Sequence, residues 1–195
     1  MAFATIDVTK GITGTIPVAN GGTGLASGTS GQFLKFTGST TLASTAIATG
    51  KVLQVVSSSG ANVTSTSSTS FSTNMTVSIT PSAATSKVLV LHAPPSAIYL
   101  SNTSNYGHTA VFRETGGSDT NITTSGHNST WGVYILSTGT YMSGSAIEIL
   151  DSPNTTASID YKIRVKVDNA SLTMTYGHDG SQASMSSLTL MEIGA

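Results

Sequence analysis

"YKIRVKVD", Tyr161–Asp168, alternates without a break: Tyr161, Ile163, Val165 and Val167 fall on one side, Lys162, Arg164 and Lys166 on the other. Successive side chains of a strand point to opposite faces, so this octet predicts a strand with one face in a core and one in solvent. Three of the eight cations of the chain share that outer face, as a solvated sheet surface, as the blunting of an edge strand, or as a patch for an acidic partner. "NMTVSIT" (74–80) repeats the pattern with Met75, Val77 and Ile79 until Pro81 closes it. "SKVLVLHA" (86–93) is apolar at successive positions and predicts a strand buried on both faces or nearly so, ended by Pro94 and Pro95, which have no N–H for a ladder. "KVLQVV" (51–56), "HTAVFRE" (108–114), "WGVYILS" (131–137), "SAIEILD" (145–151), "LTMTYG" (172–177) and "SLTLMEI" (187–193) read as further strands. Short strands at turn-punctuated spacings imply an all-β fold, a β-sandwich of jelly-roll character over residues 51–195.

Composition narrows the function. Only 9% of the 195 residues are charged and the net charge is -1, which leaves no basic field for nucleic acid or for an anionic membrane surface. Ser and Thr number 63, a bias toward turns and outward strand positions over helices. Cysteine is absent, so neither disulfides nor thiolate metal sites contribute. MAFATIDVTKG has no basic start followed by an apolar run, and no window reaches the length of a membrane span; synthesis in the cytoplasm without export or membrane insertion is expected. Seven Asn-x-Ser/Thr sequons follow from the Ser and Thr content rather than from glycosylation.

Residues 1–50 differ from the rest. They are rich in glycine and poor in large apolar side chains, so alone they bury too little surface to offset the entropy of ordering them. The segment is therefore disordered, or ordered by packing against other chains. The stretch "PVANGGTGLASGTSGQFLKF" (17–36) resembles a phosphate loop only superficially: no Lys-Ser or Lys-Thr follows Gly22, Gly24 and Gly28, and the spacing is not G-x-G-x-x-G before a helix. A free linker would leave Pro17, Val18, Leu25, Phe33, Leu34 and Phe36 without a partner.

Candidate chemistry is sparse. The nearest acid couples, Glu114 with Asp119 and Glu148 with Asp151, read as strand-end and turn residues, since sequence proximity does not set the carboxyl separation a glycosidase needs. No catalysis is expected. His92, His108, His127 and His178 form no His-x-His or HExxH pattern, so no metal or other cofactor is expected. Sugar recognition fits better, because it uses an aromatic face and short amide or hydroxyl groups. Tyr99, Tyr106, Tyr141 and Trp131 lie among such residues; Trp131 and Tyr134 open a strand, where one of them is expected to pack in the core. "SNTSNYGHT" (101–109) and "TGGSDTNITTSGHNST" (115–130) are the expected exposed loops, with Tyr99, Tyr106, Asn121, Asn128 and Trp131 as candidate receptor-facing residues.

"GTIPVANGGTGLASGTSGQFLKFTGSTTLAS" (14–44) resembles a segment of tail fibres and related virion appendage proteins of tailed bacteriophages, in which Pro-x-x-x-Gly-Gly-Thr-Gly precedes a Gly-Gln-aliphatic patch. "KVLQVV", "ITPSAATSKVLV" (79–90), "LDSPNTTASIDYKIRVK" (150–166) and "SLTLMEIGA" (187–195) resemble the same group. The resemblance implies a homotrimeric virion structural protein located on the phage tail or another appendage. Residues 1–50 would oligomerise and join other virion proteins through Pro17, Val18, Gly21, Gly22, Gly24, Leu25, Phe33, Leu34 and Phe36. Residues 51–195 would face outward, toward a host surface glycan or protein. A capsid decoration or head-fibre protein and a lectin-like module are the alternatives.

Overall fold

The computed structural model describes residues 14–16, 18, 22–46, 50–95, 97–101, 105–123, 131–135, 138–142, 146–178 and 182–194, and the chain divides into two units, Met1–Thr49 and Gly50–Ala195. In the first unit a hairpin joins β1 (Phe33–Gly38) to β2 (Thr41–Thr45), with Phe36 opposite Leu42. In the described part of the glycine-rich stretch before it, Gly22 and Gly24 come close to Ile16. Gly24 N–H donates to the Ile16 carbonyl at 3.1 Å, and a Cβ on Gly22 would stand 2.1 Å from the same oxygen, an approach only glycine permits. Phe33, Leu34 and Phe36 remain 46%, 50% and 65% exposed within the chain. A two-stranded hairpin is marginal in water by itself, so these rings and Leu34 call for cover from outside this hairpin. Val18 and Leu25 are half-buried, whereas Pro17 and Gly21 lie outside the described residues.

The second unit holds β3 (Val52–Gly60), β4 (Thr64–Thr66), β5 (Ser72–Ile79), β6 (Lys87–Ala93), β7 (Ala97–Ser101), β8 (Asn105–Thr115), β9 (Ser118–Asn121), β10 (Trp131–Ile135), β11 (Gly139–Met142), β12 (Ile147–Asp151), β13 (Ile159–Val167), β14 (Thr173–Tyr176) and β15 (Ser186–Ile193). All nine strands read from the sequence are among them. The described residues contain no helix long and apolar enough to cross a membrane. The first sheet has the order β12-β6-β15-β3 and the second β10-β8-β13-β5, with β9 beside β8. Numbered by their own succession along the chain, these eight strands run 6-3-8-1 and 5-4-7-2, which is jelly-roll connectivity.

The main core fills the space between those sheets. Val88, Val90, Ile147, Leu188 and Leu190 come from the first; Met75, Val77, Ile79, Val111, Ile159, Tyr161 and Ile163 come from the second. The octet that opened the sequence reading supplies Tyr161 and Ile163 here and Val165 and Val167 to a second cluster with Leu100, Leu172, Met174 and Tyr176. On β6 the two faces differ: Val88, Val90 and His92 point inward and are buried, while Leu89 and Leu91 are half-buried on the outside, where no described element of this unit is layered over the first sheet.

Short strands in the connections form a third sheet, β11-β7-β14-β4. β4 lies between β3 and β5, β7 between β6 and β8, β11 between β10 and β12, and β14 between β13 and β15. Jelly-roll connectivity brings these four connections to one end of the sandwich, so they pair across it as a crossing sheet. Entry to the unit is at the other end. There Gly50 N–H donates to the Gly194 carbonyl at 2.7 Å, and the nine residues of β3 then carry the chain about 30 Å toward the crossing sheet.

Buried polar pins join these layers. His92 Nδ1 lies 2.8 Å from the Ser187 carbonyl and Nε2 lies 2.9 Å from the Tyr176 hydroxyl. A carbonyl only accepts, so Nδ1 carries the proton and Nε2 accepts from Tyr176, linking the first sheet to the crossing sheet. Burial lowers the His92 pKa and keeps the ring neutral, against the carbonyl bond, which raises it.

At the entry end, buried Glu192 accepts from Gln54 Nε2 at 2.6 Å and from Ser82 N–H and Oγ–H at 2.8 and 2.7 Å. Burial pushes its carboxyl up, but hydrogen bonds from Ser82, Gln54 and Ser86 outweigh that and hold it at about 2. A depressed folded-state pKa stabilises above the ordinary Glu range and loses that contribution as pH falls toward 2. Glu192→Gln is therefore expected to cost about 1.5 kcal/mol at pH 7 and to flatten the decline in stability between about pH 4.5 and 2. Urea midpoints of both proteins across that range check it; equal slopes would contradict the assignment.

Candidate functional site

Charged groups concentrate on the outer face of the second sheet and neutralise one another there. Lys162 contacts Glu114 and lies 3.9 Å from Asp119, Arg164 Nη2 donates to Asp119 at 2.6 Å, and Lys166 lies 3.5 Å from Asp168. Arg164 also lies over the Phe112 ring at 4.7 Å and Lys166 over Phe71 at 5.4 Å, while those two rings meet edge to face at 5.1 Å. His108 Nε2 lies 2.9 Å from Asp168 Oδ1. Burial works to raise the Asp168 pKa, but His108 and Lys166 hold it below its usual value. With its cations so engaged, the strip on β13 has little left to offer an acidic partner, and the solvated-face reading fits it.

The same network answers the question raised by the acids. Glu114 and Asp119 are cross-strand partners between β8 and β9, both engaged by cations. Asp151 is buried in another role: Arg113 Nη1 donates to its two oxygens at 2.8 and 2.9 Å and the Tyr161 hydroxyl donates at 2.7 Å. Arg113 and Tyr161 belong to the second sheet and Asp151 to the first, so this cluster ties the sandwich together. Glu148 is exposed on β12.

The crossing sheet presents different chemistry. Leu100, Met174 and Tyr176 face the core, which turns Tyr99 and Thr175 outward by the period of two. Register sets Ser65 and Tyr99 on either side of Thr175, and Thr140 on the far side of Tyr99. Val63, Ser65, Tyr99, Thr175 and His178 line an open groove of about 570 Å³. Ser65 Oγ and Thr175 Oγ1 are 2.8 Å apart, a hydroxyl pair beside the aromatic ring. The turn carrying His178 is fixed by Gly177, which has φ +85° and would place a Cβ 2.5 Å from the Asn62 carbonyl oxygen, and by the bridge from His178 to Ala183. Among the described residues no lining residue is Lys, Arg, Asp or Glu. Those residues offer an ionic ligand no fixed carboxylate or ammonium, and offer an uncharged polyol with one apolar face a ring, a Val methyl surface and hydroxyls.

Of the candidate receptor-facing residues, Tyr99 lines this groove. Tyr106 is 44% exposed at the start of β8 and stacks on His108 at 5.9 Å, on the outer face of the second sheet. Asn121 lies in β9 beside Phe112, half-buried, and its Oδ1 accepts from Thr123 N–H at 2.9 Å. It is a strand and turn residue, away from the crossing sheet. Trp131 starts β10 opposite Thr109, and Asn128 lies outside the described residues. The structure thus brings Tyr99 together with Ser65, Thr175, Val63 and His178, of which the sequence reading named only His178, and that as a metal ligand it set aside. Thr175 carried a usable signal, since "LTMTYG" places it on the face opposite Met174 and Tyr176.

No family model and no curated protein matches the chain. Among solved structures it is similar to the crystal structure of an infectious bursal disease virus VP2 subviral particle, with 12% sequence identity and a TM-score of 0.31. The match covers 83% of this chain and 42% of that one.

Proposed function

We propose that this chain is a non-enzymatic structural subunit of a virion appendage, a phage tail fibre or fibre tip, that contacts the host surface through the crossing-sheet groove. The observation that carries the reading is the separation of two ends within the jelly roll. The chain enters beside Gly50 and Gly194, and the Tyr99 groove lies at the opposite end, about 30 Å along β3. A tether at one end and an uncharged aromatic groove at the other suit an adhesive module. The phage-appendage resemblance of residues 14–44 and the exposed Phe33, Leu34 and Phe36 support the companion role, in which copies associate through the N-terminal unit as a homotrimer and join other virion proteins. Three grooves in one assembly raise the strength of a weak site by avidity. The ligand is a neutral saccharide of the host surface.

Antibody labelling of intact particles tests the location. Label at the distal end of a tail appendage is the expected result; label spread over the head would favour a decoration or head-fibre role and overturn the tail assignment.

A further inference from the structure

The two outer faces of the sandwich are dressed differently. The second carries Lys162, Arg164, Lys166, Glu114 and Asp119, as a solvent-facing sheet does. Across the first, register aligns Leu150 with Leu89, Leu89 with Met191, and Met191 with Val55, an apolar row over all four strands. Ile193 and Val52 extend it toward the entry end and Leu91 toward the crossing sheet. The row is most exposed where it stops: Leu150 is 54% exposed on one edge strand, and Val55 and Val52 are 55% and 54% exposed on the other. The strand "SKVLVLHA" is apolar on both faces, yet only one is fully buried within this unit.

We propose that this face is the surface through which neighbouring copies of the chain pack side by side, Leu150 of one copy against Val55 of the next. Two features select a second copy. The row ends in apolar residues at both edges, so one copy continues what another leaves open, a head-to-tail contact that closes into a ring. The face measures about 15 Å across three strand spacings and about 13 Å along four residues. That is well short of the roughly 800 Å² per partner of a stable independent interface. So small a patch suits a neighbour already held close, as copies joined through the β1–β2 hairpin would be. The inference rests on the self-association proposed above but concerns a different surface.

The absence of cysteine makes the test clean. In the full chain carrying Leu150→Cys and Val55→Cys, the two thiols stand on opposite edges, about 15 Å apart, too far for a bond within one copy. Mild oxidation is expected to yield covalent oligomers, whereas a control pair on the charged face, Thr76→Cys with Asp119→Cys, yields about tenfold less. Adding Met191→Glu at the centre of the row is expected to cut the cross-linked product at least about tenfold while the circular dichroism spectrum stays folded. Product no greater than the control pair's, or product unchanged by Met191→Glu in a folded chain, overturns the proposal. Sedimentation of Leu34→Ser/Phe36→Ser reads the hairpin separately: a smaller assembly supports that contact, and unchanged mass counts against the hairpin alone.

Discussion

Asp151→Ala is expected to destabilise the fold by about 3–5 kcal/mol, the largest effect of any single side chain considered. Asp151 and Arg113 are 10% and 20% exposed, and truncating the acid leaves a guanidinium and the Tyr161 hydroxyl with no carboxylate to satisfy them. The residue also spans the two sheets, so its loss loosens their docking at one edge. For a chain of this size the melting temperature should fall by roughly 10 °C. Calorimetry of Asp151→Ala, Asp151→Leu, Arg113→Met and Asp151→Leu/Arg113→Met separates the causes, the last three closing a cycle with the natural chain. The double variant should be more stable than Asp151→Ala, because removing both charges leaves neither one stranded. Additive losses would mean that the pair is not coupled.

Tyr99→Ala is expected to weaken saccharide binding about thirtyfold per groove, the scale of losing an aromatic anchor worth about 2 kcal/mol. In an assembly that engages several grooves at once the losses multiply, so adhesion should fall far more than solution affinity. Stability should change by no more than about 1 kcal/mol, since the side chain is half-buried on an outer face. Saturation-transfer NMR with maltoheptaose, chitotriose and galactotriose, and dextran sulfate as the anionic comparison, checks the chemistry. Binding of a neutral sugar that Tyr99→Ala removes supports the groove. Binding of the polyanion alone would contradict an uncharged site.

Much of the fold was legible because its long strands state their faces. "YKIRVKVD" and "NMTVSIT" announce period two, and the structure buries Tyr161, Ile163, Val165, Val167, Met75, Val77 and Ile79 accordingly. β4 and β9 escaped because Thr64–Thr66 and Ser118–Asn121 hold no apolar residue, and β7 and β11 because Ala97–Ser101 and Gly139–Met142 do not alternate; β4, β7 and β11 are ordered by pairing partners distant in sequence. The groove was hidden for that reason: Ser65, Tyr99 and Thr175 meet only once β4, β7 and β14 pair. Tyr99 could be named as an aromatic among hydroxyls, but Asn121, named on the same grounds, caps a turn instead. Its short amide serves a local backbone N–H as readily as a ligand. The cationic strip on β13 was visible in the sequence, while Glu114 and Asp119, which engage Lys162 and Arg164, became visible only with the register of β8 and β9.

The most direct measurement is competition for host cells between virions and the purified full chain. Pre-incubation with the natural chain is expected to slow virion adsorption in a dose-dependent way, and the Tyr99→Ala chain, folded to the same melting temperature within a few degrees, is expected to leave adsorption unchanged. Equal inhibition by both chains, or none by either at saturating dose, would contradict host contact through the crossing-sheet groove.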